Sequence, residues 1–539
     1  VRVAAAFAVL DILDPVDRAR PSGALSPAMD ALVDGATFAT GMCSAGAMLV
    51  LAGALRRRKR RAWVLMVVVV VAGSVAHAQA QRWAVVATNL AVLGLLLWAR
   101  ADFTARSERA TRRAALRVLA VLGSVSFVAG MFLTARTAPS SPVSDRLVEV
   151  FFGLVGFTPD LAFPREYASS LTEFALNGLG GLTALLTLVA LLRPARGTVT
   201  LSVADEARLR DLLAGHGARD SLGYFALRGD KTVVFSPSGK AAVAYRVVGS
   251  VSLAAGDPIG DPEAWPAAIR AWLAEADDYA WTPGVVGASE AAAIVYRRAG
   301  FDSLELGDEA ILELDDFSLE GRAMRGVRQA VNRVRRAGYT LDVRRQHELA
   351  AAELAELLRA ADAFREQDVE RGFSMALGRL GDPRDPDLVV ARASDAGNRL
   401  VAVLAFVPWG TDGLSLDVMR RAEDSENGTV EFVVAGVVEA ARALGVRRIS
   451  LNFAVFRSVF ERGSRVGAGP VLRLWHRLLL VASKWWQIES LYRANVKYNP
   501  EWVPRFVCFR RASELPRVVI AAAEAEAFIQ RPRLRWLAP

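Results

Sequence analysis

Five apolar runs occupy most of the first 195 residues, at about 37–55, 62–79, 83–99, 116–135 and 171–192. Each approaches the roughly 20 residues that cross a bilayer as a helix. Lipid leaves no partner for an open backbone group, so such runs can fold only as helices. The first ends in Arg56-Arg57-Arg58-Lys59-Arg60-Arg61, the third leads into an Arg-rich loop from Arg100 to Arg117, and the fifth ends in Arg193-Pro194-Ala195-Arg196. Basic flanks stay on the cytoplasmic side. Alternating spans then place the Gln79–Arg82 turn and the 136–170 loop outside, without contradiction. The expectation is an α-helical transmembrane domain over 1–195 with about five spans, in the cell (plasma) membrane, and a cytoplasmic remainder. Val3–Leu13 is apolar but too short to span, and no basic segment precedes it as in a signal peptide. Few charges lie inside the spans, so no ion pathway is visible; a plain anchor and lipid handling both stay open.

From Leu201 the chain reads as globular, with short strands alternating with amphipathic helices. A net charge of +9 and a pI near 9.9 favour an anionic partner, either a lipid surface or nucleic acid. The four histidines (His77, His216, His347, His476) are scattered singly, and Cys43 and Cys508 form no thiol motif. That argues against a His/Cys zinc site and a Ser-His-Asp triad. No metal and no cofactor are expected, and the chemistry falls to carboxylates, Lys, Arg, hydroxyls and backbone groups.

Two segments of this half share one grammar. In the first, strand 251–255 runs into Gly256-Asp257-Pro258-Ile259-Gly260, followed by helix 263–276, strand 279–287 and helix 291–299. In the second, strand 414–420 is followed by helix 430–444, strand 447–453 and segment 456–462. Asp257 and Asp417 sit at equivalent strand ends. The physical reading is two copies of one α/β module side by side. Between them, Met324, Val327, Ala330, Val331 and Val334 share one helix face at 100° per residue. Arg322, Arg325, Arg328, Arg333, Arg335 and Arg336 take the other, and no acid lies between Gly321 and Tyr339. A face of one sign suits a polyanion, as tRNA or lipid phosphate. A later stripe from Val471 to Trp486 reads as a core-facing or interfacial helix.

These residues carry a resemblance. Ala293–Phe301 resembles the closing helix and turn of GNAT-type acetyltransferases, although the loop that cradles the coenzyme A pyrophosphate is not found; Arg465-Val466-Gly467-Ala468-Gly469 is one residue short of it. More specifically, the chain resembles the lysylphosphatidylglycerol synthase (MprF-type) family, above all the transferase half of its actinobacterial fusions with lysyl-tRNA synthetase. The matching stretches are Asp220–Phe225, Gly256–Gly260, Leu306–Ile311, Arg325–Val331, Arg371–Met375, Asp417–Arg421, Asn427–Thr429 and Lys497–Arg505. The resemblance implies tandem GNAT-like (acyltransferase) folds on a membrane domain, and transfer of an amino acid, most simply lysine, from aminoacyl-tRNA to a phosphatidylglycerol hydroxyl. The cationic lipid so made would reduce negative surface charge and help resist cationic peptides. Domains are expected at 201–315, at 316–515 (catalytic) and as a tail at 516–539. The implied partners are lysyl-tRNA, phosphatidylglycerol and the membrane, and a separate synthetase as supplier; a homo-oligomer stays open.

Exchanging one ester for another needs a base for the attacking hydroxyl, donors for the oxyanion and an acid for the leaving ribose oxygen. Asp417 and Glu431 are the candidates for base or ammonium ligand. Arg420 and Lys497 would hold phosphate or the leaving oxygen. Asn452, Arg493, Tyr498, Glu501, Arg505, Phe373 and Ser374 are the expected substrate-binding set; for Arg493, Glu501 and Arg505 a structural network around the Pro500 and Pro504 turns stays equally open. Ser374 lacks a nearby His, so it is not expected to act as a nucleophile. The rival readings are a coenzyme A-dependent N-acyltransferase and a non-catalytic membrane protein that binds anionic lipid.

Overall fold

The computed structural model describes residues 43, 46–55, 58–79, 81, 83–103, 109–155, 166–192, 200–365, 372–455 and 494–529. The chain divides into two units, Val1–Ala195 with Asp277–Ala280 and Pro532–Pro539, and Arg196–Ala276 with Trp281–Arg531. In the first unit the apolar runs fold as helices: α1 (Gly46–Leu55), α2 (Arg60–Gln79), α3 (Trp83–Trp98), α4 (Arg109–Thr137), α5 (Val143–Val155) and α6 (Glu166–Leu191). Three described stretches are long and apolar enough to cross a membrane: Trp83–Ala101, Arg112–Thr137 and Thr172–Leu191.

Helix α5 lies in the segment expected as a plain loop. Its apolar residues recur at Val143, Leu147, Val150, Phe151 and Leu154, the spacing of one helix face. At 13 residues it is too short to span, so a search for spans passes over it. It packs close on α6. A Cβ added at Gly180 would lie 1.9 Å from the Leu154 carbonyl oxygen, and one at Gly153 would lie 2.7 Å from Leu176. Small residues permit such backbone approach between membrane helices. The Ser126 and Thr183 hydroxyls, 3.0 Å apart and buried, tie α4 to α6.

The second unit is built on one 12-stranded sheet. Its strands are β1 (Thr232–Phe235), β2 (Ala241–Val248), β3 (Val251–Ala255), β4 (Ile259–Gly260), β5 (Thr282–Ala288), β6 (Asp302–Glu313), β7 (Thr340–Arg345), β8 (Val389–Ser394), β9 (Leu400–Trp409), β10 (Gly413–Arg421), β11 (Arg448–Val455) and β12 (Glu501–Phe509). The helices are α7 (Val203–His216), α8 (Trp265–Asp278), α9 (Glu290–Arg298), α10 (Arg325–Arg336), α11 (Ala351–Ala363), α12 (Thr429–Ala443) and α13 (Leu515–Ala525). Strand order is β1-β2-β3-β5-β12-β6-β11-β10-β9-β8-β7, with β4 on β2.

Parallel pairing occurs twice, β3 with β5 and β10 with β11, and a helix, α8 or α12, makes each crossover. Both halves therefore carry the repeated strand–helix–strand grammar. Beside each parallel pair stands an antiparallel strand from further along or further back in the chain. β12 lies against β5, β6 lies against β11, and β12 and β6 pair with each other. The halves thus exchange strands at the centre of the sheet.

The helices bury the faces that periodicity assigns to them. Val327, Val331 and Val334 of α10, with Met324 just before it, join Phe432, Val433 and Val437 of α12 against the sheet. Residues 515–525, expected mostly as a tail, form α13, whose Leu515, Val518 and Ala521 pack with Val251, Leu253 and Val286. Gly284 of β5 permits this contact, since a Cβ there would lie 2.6 Å from Val518. The segment 456–462, the Gly-rich stretch at 465–469 and the stripe from Val471 to Trp486 lie outside the described residues.

Candidate active site

The candidate site lies where two parallel strands part. Pairing of β10 with β11 runs from Gly413 opposite Arg448 to Ser415 opposite Ser450 and then stops. Just beyond, β10 bulges against β9 between Leu416 and Val418, which makes Asp417 the extra residue. Bulges re-aim side chains and are frequent beside active sites. The register of β11 against β6 shifts between Ser450 and Phe453, and Asn452 there adopts a φ of 69°. Asn tolerates that left-handed conformation better than most residues. Its Nδ2 donates to the Leu416 carbonyl at 2.8 Å, bridging the strands as they separate. Its Oδ1 is buried and has no hydrogen-bond partner among the described residues.

Glu431 enters from the first turn of α12, whose preceding Gly428 has a φ of 103°. A carboxylate is favoured at a helix N-terminus. Lys497 Nζ donates to Glu431 Oε1 at 2.5 Å, and the same ammonium lies 5.5 Å from the centre of the Tyr498 ring. Tyr498 is buried, and its hydroxyl has no hydrogen-bond partner among the described residues. Burial, and then the Glu431 carboxylate, push its phenol well above the ordinary value. Arg420 donates to the Ala361 carbonyl at 2.8 Å, at the C-terminal end of α11, where cations are favoured. Asp417 Oδ1 accepts from the Leu377 amide at 2.7 Å. That bond ties Asp417 to the segment holding Phe373 and Ser374.

The structure thus joins Asn452 to the strand that carries Asp417, and brings Glu431, Lys497 and Tyr498 together. Phe373 and Ser374 are fully buried, not open to a ligand: their amides donate to the Glu526 carboxylate at 2.6 and 3.0 Å, and the Ser374 hydroxyl donates to it at 2.5 Å. Arg505, expected as a substrate-binding residue, is also buried. Its guanidinium donates to Glu309 at 2.8 and 2.5 Å, to Asp220 at 2.8 Å, to Ser221 Oγ at 2.7 Å and to the Gly287 carbonyl at 3.2 Å. Ser221 and Ser450 donate to the other Glu309 oxygen. This frame links β5, β6, β11 and β12 beneath the site. Glu501 is exposed at the start of β12, and Arg493 lies outside the described residues.

The equivalent acid of the first half is used differently. Asp257 is buried, and its two oxygens accept from the Ser289 amide at 2.7 Å and the Ser289 hydroxyl at 2.6 Å, at the start of α9. Burial and the adjacent Asp220 carboxylate push it up to about 7. A shallow depression beside it is lined by His216, Arg219, Asp220, Asp257 and Trp265 among others, and by none of Asp417, Arg420, Glu431 or Lys497.

On the basic helix, Arg325, Arg333, Arg335 and Arg336 are exposed and Arg328 is partly so, while Arg322, expected on the same face, is exposed in the turn that precedes the helix. Arg328 donates to the Leu319 carbonyl, Arg333 reaches the Asn427 carbonyl at 3.5 Å, Arg335 lies 3.7 Å from Glu439, and Arg336 reaches Asn332 at 3.2 Å. A Cβ at Gly428 would meet Ala330 of α10 at 2.8 Å. The arginine helix therefore abuts the start of α12, three residues from Glu431. Among the described residues no cluster of His, Cys, Asp and Glu could hold a metal. Burial, and then Asp257, push the Cys508 thiol up to about 12. Sequence reasoning missed the Leu377 amide, Glu526, and the Asp220–Glu309–Ser450 frame. A charged residue inside an apolar strand, as at Glu309 and Arg505, was the available signal.

Residues 210–509 match the family model described as "Phosphatidylglycerol lysyltransferase, C-terminal", and residues 23–192 match "Transmembrane region of lysyl-tRNA synthetase". The "Lysylphosphatidylglycerol biosynthesis bifunctional protein LysX" of Rhodococcus jostii is 46% identical over 495 residues, which are 90% of this chain and 44% of that protein. Its counterpart in Mycobacterium leprae is 44% identical over 500 residues, again 90% and 44%. The chain thus spans less than half the length of these relatives. Among solved structures, L-PGS from Bacillus licheniformis shares the fold with a TM-score of 0.53 at 22% identity, covering 60% of this chain and 97% of that one. The C-terminal (DUF2156) domain of a putative lysylphosphatidylglycerol synthetase from Agrobacterium fabrum gives 0.51 at 21% identity, covering 61% and 99%. By the match over residues 210–509, this chain belongs to the phosphatidylglycerol lysyltransferase family.

Proposed function

We propose that this chain transfers lysine from lysyl-tRNA to a hydroxyl of phosphatidylglycerol, at the point where β10 and β11 part. The observation that carries the reading is Asp417 on its bulge, tied through Leu416 to Asn452 in its left-handed turn, with the Glu431–Lys497 pair as a second charged cluster of the same half. The names of the relatives support the substrates. Asp417 takes the proton of the lipid hydroxyl as its oxygen attacks the aminoacyl carbonyl carbon. The bond to the ribose oxygen then breaks, and that oxygen takes back from Asp417 the proton removed from the lipid hydroxyl. Lys497 stabilises the oxyanion and Glu431 attracts the ammonium of the amino acid.

The arginine face of α10 is the tRNA-facing surface in this reading, because it is basic, exposed and adjacent to the start of α12. We also propose that the second unit is cytoplasmic, that the five apolar runs each span the membrane, and that a synthetase supplies the charged tRNA. The test is transfer of labelled lysine from purified lysyl-tRNA to phosphatidylglycerol in liposomes. Asp417→Asn keeps the side-chain shape and removes the charge, and should slow transfer by roughly 10²-fold or more. Asp257→Asn should be mild. No transfer by the wild-type chain, or full transfer by Asp417→Asn, would overturn the assignment.

A further inference from the structure

Residues 372–377 have no regular secondary structure, yet buried charged groups hold them at several points. Glu526 accepts from the Phe373 amide, the Ser374 amide and the Ser374 hydroxyl. Arg228 donates to the Gly372 carbonyl and, at 2.9 Å, to the Ala376 carbonyl. Lys231 Nζ lies 4.6 Å from the centre of the Phe373 ring and donates to the Phe225 carbonyl at 3.0 Å. At the far end the Leu377 amide donates to Asp417.

Glu526 stands in a costly place. It is 8% exposed and follows directly on the C-terminus of α13, where the helix dipole disfavours an anion. Burial pushes the Lys231 ammonium down to about 7, and Glu526 is among the charges that counter that fall. A chain that needed only to end a helix here would not bury a carboxylate. Three donors from one short segment satisfy it, and that segment ends on the candidate base.

We infer that Glu526 is a positioning residue for Asp417, acting through the 372–377 segment it clamps. This rests on the lysyltransferase reading above. With Glu526 in place, the Leu377 amide is fixed and holds one Asp417 oxygen, which sets the direction of the other towards the lipid hydroxyl. Without it, the segment relaxes and the carboxylate samples other rotamers. Binding of the lipid and the tRNA is retained in this reading, because Glu526 is buried among protein groups.

The experiment uses the full chain in liposomes, with Glu526→Gln and Glu526→Asp. Gln is isosteric, but its amide nitrogen would face a backbone N–H, leaving a buried donor unmet. Hydrogen exchange at Phe373, Ser374 and Leu377 should accelerate roughly 10–100-fold, the scale of one lost buried hydrogen bond. Transfer should lose roughly 10-fold in kcat, with KM for lysyl-tRNA and for phosphatidylglycerol within about twofold. Glu526→Asp keeps the charge and should restore most of both readouts, which general destabilisation would not predict. Faster exchange with unchanged kcat would show that the clamp does not reach Asp417, and a lower kcat with unchanged exchange would show that Glu526 acts by another route; either overturns the inference. A wild-type chain that transfers nothing would refute the functional reading, while exchange would still report on the clamp.

Discussion

Replacing Arg505 with methionine separates a frame residue from a substrate ligand. The side chain keeps its approximate length, loses its charge and drops five hydrogen bonds. Two carboxylates then lose their counter-charge inside the protein, Glu309 at 0% exposure and Asp220 at 7%. Breaking a buried ion pair in this one-sided way costs about 3–5 kcal/mol. At about 2–4 °C per kcal/mol for a large domain, Tm should fall by roughly 6–20 °C. Adding Glu309→Gln to Arg505→Met removes one of the two stranded anions and should recover part of that loss, because a neutral core can replace an ion pair at little cost. The assays are thermal unfolding by tryptophan fluorescence and lysyl transfer measured well below the transition. The folded variant should keep KM within a few-fold of wild type, since the guanidinium faces only protein groups. A variant with unchanged Tm and abolished transfer would refute this reasoning and return Arg505 to the substrate.

Three further outcomes are expected. Asp257 is raised from its ordinary value to about 7, so its contribution to stability is complete below about pH 4 and is lost as pH rises through about 7. Asp257→Asn should therefore raise Tm relative to wild type at pH 8 more than at pH 5; an equal difference at both would remove Asp257 as the source. Changing Arg325, Arg328 and Arg336 together to Gln should weaken tRNA binding and flatten its salt dependence, since fewer counterions are released; an unchanged slope would assign that face to plain solvent. Impermeant thiol labelling of single cysteines placed within 200–510 in intact cells should fail, and labelling from outside would overturn the cytoplasmic placement.

What could be read in advance depended on the range of the signal. The apolar runs and the valine stripe of α10 are local patterns, and they became helices with the faces expected. Helix α5 obeys the same periodicity, but at 13 residues it fell below the length being sought. The Asp417 bulge could not be read, because a bulge belongs to a pair of strands and not to either one. Glu431 and Lys497 were both chosen, yet nothing local says that residues 66 positions apart meet at 2.5 Å. Arg505 misled for the same reason. Its place in the Lys497–Arg505 stretch suits a ligand contact or a local network around Pro500 and Pro504, while its partners Asp220 and Glu309 stand 285 and 196 residues earlier. Phe373 and Ser374 likewise marked a clamped segment, and only their burial reveals it.

The exchange of β6 and β12 at the centre of the sheet also sets an order of events during synthesis. The edge of β5 is covered by β12, but about 190 residues separate the end of β6 from the start of β12. At about 5–20 residues per second, a ribosome needs roughly 10–40 s to cross that distance. Until then the first half exposes unpaired edges at Thr282–Ala288 and Asp302–Glu313, and open edges recruit whatever strand is near. A second copy being made alongside could donate its own Glu501–Phe509 strand before the first chain's strand emerges. Swapped pairs joined through β12 are the misassembly that this topology favours.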